Sequence, residues 1–174
     1  MKTLRADLRR KREVFCEDSG TEISMLRVFM ADGTSANVLY RAMRWSASHR
    51  LSPIAYALQF LNKIMNGCVI GTGADFGPGF VLMHPNGVII NSKVSGGNNI
   101  TLESGVVIGD NKGLSPSLGS NIFIGSGAKI FGGIQVGNGV SVGANAVVCK
   151  DAAAGTLMVG VPARPLASVS EDEL

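Results

Sequence analysis

The chain has 174 residues and a formal net charge of +3, with 23 glycines, few aromatics and 17% charged side chains. That length suits one compact unit, or one repeat array with a small appendage, and the modest charge argues against a body that binds nucleic acid through its phosphates. So much glycine without a three-residue period excludes collagen and asks for tight turns at regular intervals.

At the N-terminus, Leu4 and Leu8 are separated by charges, so the apolar core of a signal peptide is missing, as is any run of about 18 apolar residues able to span a bilayer. Cys16, Cys68 and Cys149 lie too far apart for a metal or redox pair and leave one odd thiol, which fits a reducing cytoplasm. Ten of the sixteen Lys and Arg residues precede position 51, and Arg9, Arg10, Lys11 and Arg12 form a run, whereas Glu171, Asp172 and Glu173 make the other end acidic. The basic run reads as a solvated helix face; its alternative is contact with a phosphate, an anionic glycan or a peripheral membrane surface.

From Leu4 to about Met65 apolar residues recur at spacings of three and four, as in Ile23, Leu26 and Met30, which predicts helices. Met25, Met30 and Met43 are read as core or cap packing. Asp32-Gly33-Thr34-Ser35 predicts a turn that opens a helix through Tyr40, Arg41 and Trp45. A further helix carries its own punctuation, with Ser52 as N-cap, Pro53 in the first turn, Ile54, Leu58, Leu61 and Met65 as its stripe and Gly67 as its left-handed stop.

From Ile70 onward the period changes to six. Counting by six from Ile70 to Val148 gives thirteen large apolar residues in fourteen steps, broken only at Lys112, which is far beyond chance and marks a repeat. A six-residue unit makes one short strand and one sharp turn, and three units close a triangular coil whose rungs stack at about 4.8 Å. The fold class is therefore mainly β, a parallel β-helix of hexapeptide repeats with an N-terminal helical cap. The expected divisions are a helical region at 1–67, the β-helix at 68–165 and an acidic tail at 166–174.

These features resemble the hexapeptide-repeat acyltransferases, whose core is a left-handed parallel β-helix, and within them the serine acetyltransferase branch. The resemblance is carried by Tyr40-Arg41-Ala42-Met43-Arg44-Trp45, by Gly79-Phe80-Val81-Leu82-Met83-His84, and by three later segments. Those are Ile124 to Ile130, Val142 to Val148 and Val159 to Arg164. It implies acetyl-CoA as co-substrate with no metal, a homotrimer with the coenzyme lying between neighbouring β-helices, and His84 as the catalytic base. It also implies a coenzyme A site that includes Gly109, Ser126, Ala144, Lys150 and Arg164.

The chain departs from that branch where the acceptor is recognised. The aspartate fifteen residues before the catalytic histidine is replaced by Val69, the acidic residue just before it by Met83, and a second histidine by Ser115, in a loop from Asp110 to Ser117 that is shorter than usual. The run from Phe80 to Asn91 is similar instead to acetyltransferases of bacterial exopolysaccharide assembly, including colanic acid synthesis, so a sugar hydroxyl is the expected acceptor. Serine O-acetylation and a catalytically silent scaffold are the alternatives.

The chain has two histidines. His49 sits just before a helix cap, whereas His84 lies inside the array beside Pro85-Asn86-Gly87. Base catalysis needs one imidazole nitrogen free and the other held. With Val69 unable to hold it, the candidates for orienting His84 or binding the acceptor are Asp75, Asn86, a main-chain carbonyl and Glu103. A backbone N–H near Gly109 is the expected oxyanion donor. A γ-type carbonic anhydrase would need about three histidines around zinc, and the array holds one.

Overall fold

A computed structural model describes residues 2–166, with Lys2 described in its backbone only; the expected acidic tail lies outside the described residues apart from Leu166. Four helices come first: α1 (Lys2–Ser19), α2 (Met25–Met30), α3 (Thr34–Ser48) and α4 (Ser52–Asn66). Short strands follow on three faces. The first face stacks Val69–Ile70, Ile89–Ile90, Val107–Gly109, Lys129–Phe131 and Val147–Val148, and the second stacks Asp75–Phe76, Ser95–Gly96, Ser117–Leu118 and Gln135–Val136. The third stacks Val81–Leu82, Ile100–Leu102, Ile122–Ile124, Ser141–Val142 and Leu157–Val159, all in parallel, and ends on the antiparallel strand Arg164–Pro165. This is a parallel β-helix of about four turns, as the six-residue period requires.

The period spans two insertions. On the first face Val69 pairs with Ile89, Ile89 with Val107, Val107 with Lys129 and Lys129 with Val147, so successive coils take twenty, eighteen, twenty-two and eighteen residues. Two extra residues fall in the turn holding His84, and four in the loop after Gly109. Together they make one whole repeat unit, so the count by six returns to phase at Leu118. Between the two insertions the count lands on Val88, Val94, Ile100 and Val106, each two places before the true rung partner and each also buried. Both positions point inward, since side chains two apart on a strand share a face.

The first coil would expose a row of unpaired carbonyls, the hazard of any open strand edge. The helices cover it with single side chains. Asn37 donates to the Phe80 carbonyl and accepts from the Leu82 N–H, at 2.9 and 3.1 Å, acting as an extra rung. Arg41 donates to the carbonyls of Phe76 and Gly77, Arg44 to Thr72, and Gln59 to Ile70. The Tyr40 hydroxyl accepts the Phe76 N–H, and its ring meets Phe76 and Phe80 edge-on in the core. Asp7 in α1 is 1% exposed and accepts from Arg41 Nε at 2.7 Å, Arg41 Nη2, and the N–H groups of Gly79 and Phe80. Breaking such a buried, fully bonded pair costs about 3–5 kcal/mol.

Several helical expectations are corrected. The N-cap of α4 is Leu51, with no side-chain cap, rather than Ser52; Gly67 does close the helix, with φ 61°. Of the apolar stripe, Leu58 packs partly against the core, whereas Ile54, Leu61 and Met65 are exposed and Ala55 and Asn62 are the buried residues. In α2, Met25, Leu26 and Met30 are exposed and Val28 is the buried residue; only Met43 of the three methionines lies in the core. Helical spacing marks an apolar face, and the β-helix leaves these short helices only one side to pack. The basic run is a surface face of α1 at Arg9, Arg10 and Arg12, as expected, but not at Lys11. Arg10 meets Glu13 and Glu17, Arg12 meets Glu22, and Lys11 is buried.

Candidate active site

His84 lies at the corner where the third face turns toward the first. The corner is pinned by neighbouring backbone: Met83 N–H donates to the Leu102 carbonyl, Gly87 N–H to Gly67, and Gly105 N–H to the Asn86 carbonyl. A fixed backbone therefore carries a side chain that is 59% exposed and open to a substrate.

The residue that holds its imidazole comes from the helical cap. His84 Nδ1 lies 3.0 Å from Asp32 Oδ2, while Asp32 Oδ1 accepts the Gly33 N–H at 2.9 Å. With Nδ1–H donating to the carboxylate, Nε2 is left with its lone pair free, the tautomer a general base requires. Gly33 makes the approach possible. Its φ is 74°, and a β-carbon there would collide with the Leu82 carbonyl, so only glycine lets this turn lie flat on the coil that carries His84.

Of the orienters expected from sequence, Asp75 is ruled out by position. It lies on the second face and pairs with Arg44 Nη2 at 3.0 Å. Asn86 is exposed beside His84 but supplies the corner only its backbone carbonyl. Glu103 is close, because Leu82 and Leu102 are rung partners and the next residues along are Met83 and Glu103. Half-buried, its carboxyl is pushed upward from the usual range, mainly by burial and further by Asp18, against the opposing pull of His84 and Lys11. Beside it a cavity of about 350 Å³ opens between α1 and the third face, with Asp18, Thr101, Glu103 and Phe123 in its wall.

The expected coenzyme residues do not share one corner. Ser126 and Ala144 share the His84 corner one above another, linked by Gly127 N–H to the Ser104 carbonyl and Asn145 N–H to the Ser126 carbonyl. Gly109 ends one strand of the first face and Lys150 follows another, away from the His84 corner, so one chain does not bring them to His84. Arg164 lies on the closing antiparallel strand and is exposed. His49 is elsewhere, at the end of α3, tilted against the Trp45 ring with Nδ1 2.8 Å from the Trp45 carbonyl. Among the described residues no three His, Cys, Asp or Glu side chains gather as a metal site.

The sequence reading missed Asp32 and Lys11. Asp32 was legible only as a turn residue, and nothing local connects it to a histidine 52 positions later.

No protein-family model matches the chain. Curated relatives do. A serine acetyltransferase of Helicobacter pylori is 34% identical over 88% of this chain and 92% of its own length. The chain belongs to the serine acetyltransferase family. A second member, from Synechococcus elongatus, is 32% identical over 94% of this chain and 67% of its own length. Among solved structures, soybean serine acetyltransferase complexed with serine matches 95% of this chain and 70% of its own at 26% identity, with a TM-score of 0.84. A serine acetyltransferase complexed with CoA matches 95% of this chain and 68% of its own at 25% identity, with a TM-score of 0.85. As a serine acetyltransferase family member, the chain is an acyltransferase. The relatives correct the expected kinship with colanic-acid-type enzymes and with polysaccharide biosynthesis, because they are named for serine. A few coil residues around His84 carried that expectation, and hexapeptide coils are shared widely across acceptor classes.

Proposed function

We propose that the chain transfers the acetyl group of acetyl-CoA to the hydroxyl of L-serine, with His84 as general base. The observation that carries this is the 3.0 Å pairing of His84 Nδ1 with Asp32. It supplies from the helical cap the carboxylate that Val69 cannot, so the departure at Val69 does not remove the dyad. The departure at Met83 has a counterpart too. Glu103, next to Met83 on the adjacent rung, sets a carboxylate where the ammonium of an amino acid can be held beside His84.

In this reading Nε2 takes the hydroxyl proton as the serine oxygen attacks the thioester carbonyl, and the imidazolium returns the proton to the departing thiolate. The proton balance closes without a covalent acyl-enzyme. Such assistance is worth about 10² to 10⁴ in rate. Ser126 and Ala144, small residues stacked on the His84 corner, leave room for the pantetheine arm along the coil, and Lys150 and Arg164 are the cations for the phosphates. Because Gly109 and Lys150 lie away from the His84 corner, their part in the site requires a neighbouring copy. A homotrimer meets that need, and the outward apolar side chains Ile89, Phe123 and Leu157 suit such contacts; sedimentation velocity at micromolar concentration tests it.

The direct test is thiol release from acetyl-CoA with L-serine and with a panel of sugars, comparing the natural chain with His84→Ala. Serine-dependent release that the variant loses is expected. Release with sugars and not with serine would overturn the acceptor, and coenzyme binding with no release in any case would leave the scaffold reading.

A further inference from the structure

We propose that Lys11 is a positioning residue for this reaction: its buried ammonium fastens the backbone of Asp32 to the backbone of the catalytic coil, and so fixes the carboxylate that orients His84. The inference rests on reading His84 as the base.

Lys11 is 1% exposed, the only charged side chain besides Asp7 in that class among the described residues. A lysine this deep ordinarily reaches its ammonium out to water or meets a carboxylate. Lys11 does neither. Its Nζ donates to the Leu82 carbonyl at 2.9 Å and to the Asp32 carbonyl, and it lies 5.9 Å from the centre of the Phe15 ring.

Both acceptors belong to the site. Leu82 is two residues before His84, on the outermost rung, where no earlier strand of the third face lies alongside. Asp32 carries the carboxylate. One ammonium thus joins three segments, α1, the Asp32 turn and the catalytic coil, at the place where Gly33 lets the turn touch the coil. A side chain of the same length without the charge would fill the space and leave both carbonyls bare in a dry seam, where each lost bond to a charged donor matters.

The charge acts on the site as well. The groups that face it are Asp32 on the turn and Glu103 on the adjacent rung, and Glu103 in turn faces His84 and Asp18. Burial pulls the Lys11 ammonium down to about 8 against the attraction of Asp32 and then of Glu103. The proton it holds is therefore shed just above neutrality; the neutral amine keeps two N–H donors, but its bonds to the two carbonyls lose their charge assistance and the fastening loosens.

The test compares the natural chain with Lys11→Met and Lys11→Arg, reading steady-state rates from pH 6 to 9.5 and the ring ¹⁵N shifts of the histidines. His84→Ala assigns His84 against His49. In Lys11→Met, kcat falls about tenfold or more while the KM for acetyl-CoA stays within about twofold, and His84 loses its single tautomer in the ¹⁵N spectrum. The natural enzyme slows above about pH 8; Lys11→Arg keeps most of kcat and moves that limb beyond the range, since a guanidinium does not titrate there.

An unchanged His84 spectrum and an unchanged pH profile in folded Lys11→Met would overturn the proposal and leave Lys11 a purely structural residue. If Lys11→Met does not fold, Lys11→Arg decides alone: an alkaline limb that stays in place overturns it. Because the ¹⁵N readout needs no acceptor, the proposal can fail or stand separately from the choice of serine.

Discussion

The β-helix and the helical cap are held together by different kinds of contact. In the β-helix the same contact recurs: Leu82, Leu102, Ile124, Val142 and Met158 stack on one face as rung partners, all buried. Each coil needs only its neighbours, so the stability of such an array is close to a sum over repeats. The cap is attached by bonds that occur once each, from Asp7, Lys11, Asn37, Tyr40, Arg41, Arg44 and Gln59 to the first coil. The difference teaches where chemistry can be built. A repeat provides a rigid rail, and a unique site appears where a non-repeating element meets it, as Asp32 meets His84.

Perturbations at the two regions should therefore differ in kind. His84→Ala should have the largest effect on function, lowering kcat/KM about 10²- to 10⁴-fold. Its thermal midpoint should hardly move, because an exposed side chain contributes little to stability. A large stability loss would mean that the rail depends on His84 as well.

Next come the two stability variants. Asp7→Ala should cost about 3–5 kcal/mol by stranding Arg41 and two buried N–H groups, and Leu102→Ala about 2–5 kcal/mol through the cavity it leaves between rungs. Denaturant unfolding followed by Trp45 fluorescence, since Trp45 is the single tryptophan and lies in α3, and by far-ultraviolet circular dichroism separates them. Asp7→Ala should free the cap first and split the two probes, whereas Leu102→Ala should move both together. Coincident transitions in both variants would mean that cap and rail fold as one cooperative unit.

Asp32→Asn should be milder, lowering kcat by about tenfold or more but by less than loss of the imidazole. Equal losses in Asp32→Asn and His84→Ala would make the carboxylate as essential as the base.

Near neutral pH the smallest effect is on stability against pH, which appears only in the alkaline range. Burial pushes the Cys68 thiol up to about 12 from 9.0. A raised folded-state value stabilises the chain fully below the unfolded thiol's pKa, and that contribution is lost as pH rises from about 9 toward 12, at up to about 1.4 kcal/mol per pH unit. Cys68→Ala should flatten that slope. Over part of the same range Lys11, lowered to about 8 from 10.5, acts oppositely, because the unfolded chain then binds the extra proton, so Lys11→Met should steepen it.

The sequence by itself determined the β-helix behind an N-terminal helical region and the Asp32-Gly33 turn, and it singled out His84 as the candidate base. All of these are local or periodic: six-residue spacing survives in the sequence because every rung repeats the same demand for an inward aliphatic residue. The break at Lys112 and the Asp110–Ser117 loop marked the later insertion, but the one in the His84 turn stayed invisible, since the six extra residues together restore the phase. Only the tertiary structure decided that Asp32 rather than Asp75 faces His84, that Lys11 leaves the basic run for the seam, and that Ile54, Leu61 and Met65 look outward. The pairs that make the site lie 52 and 71 positions apart, and each is made once. A contact made once, between distant segments, leaves no period behind in the chain, and its partners are known only when the cap has closed on the first coil.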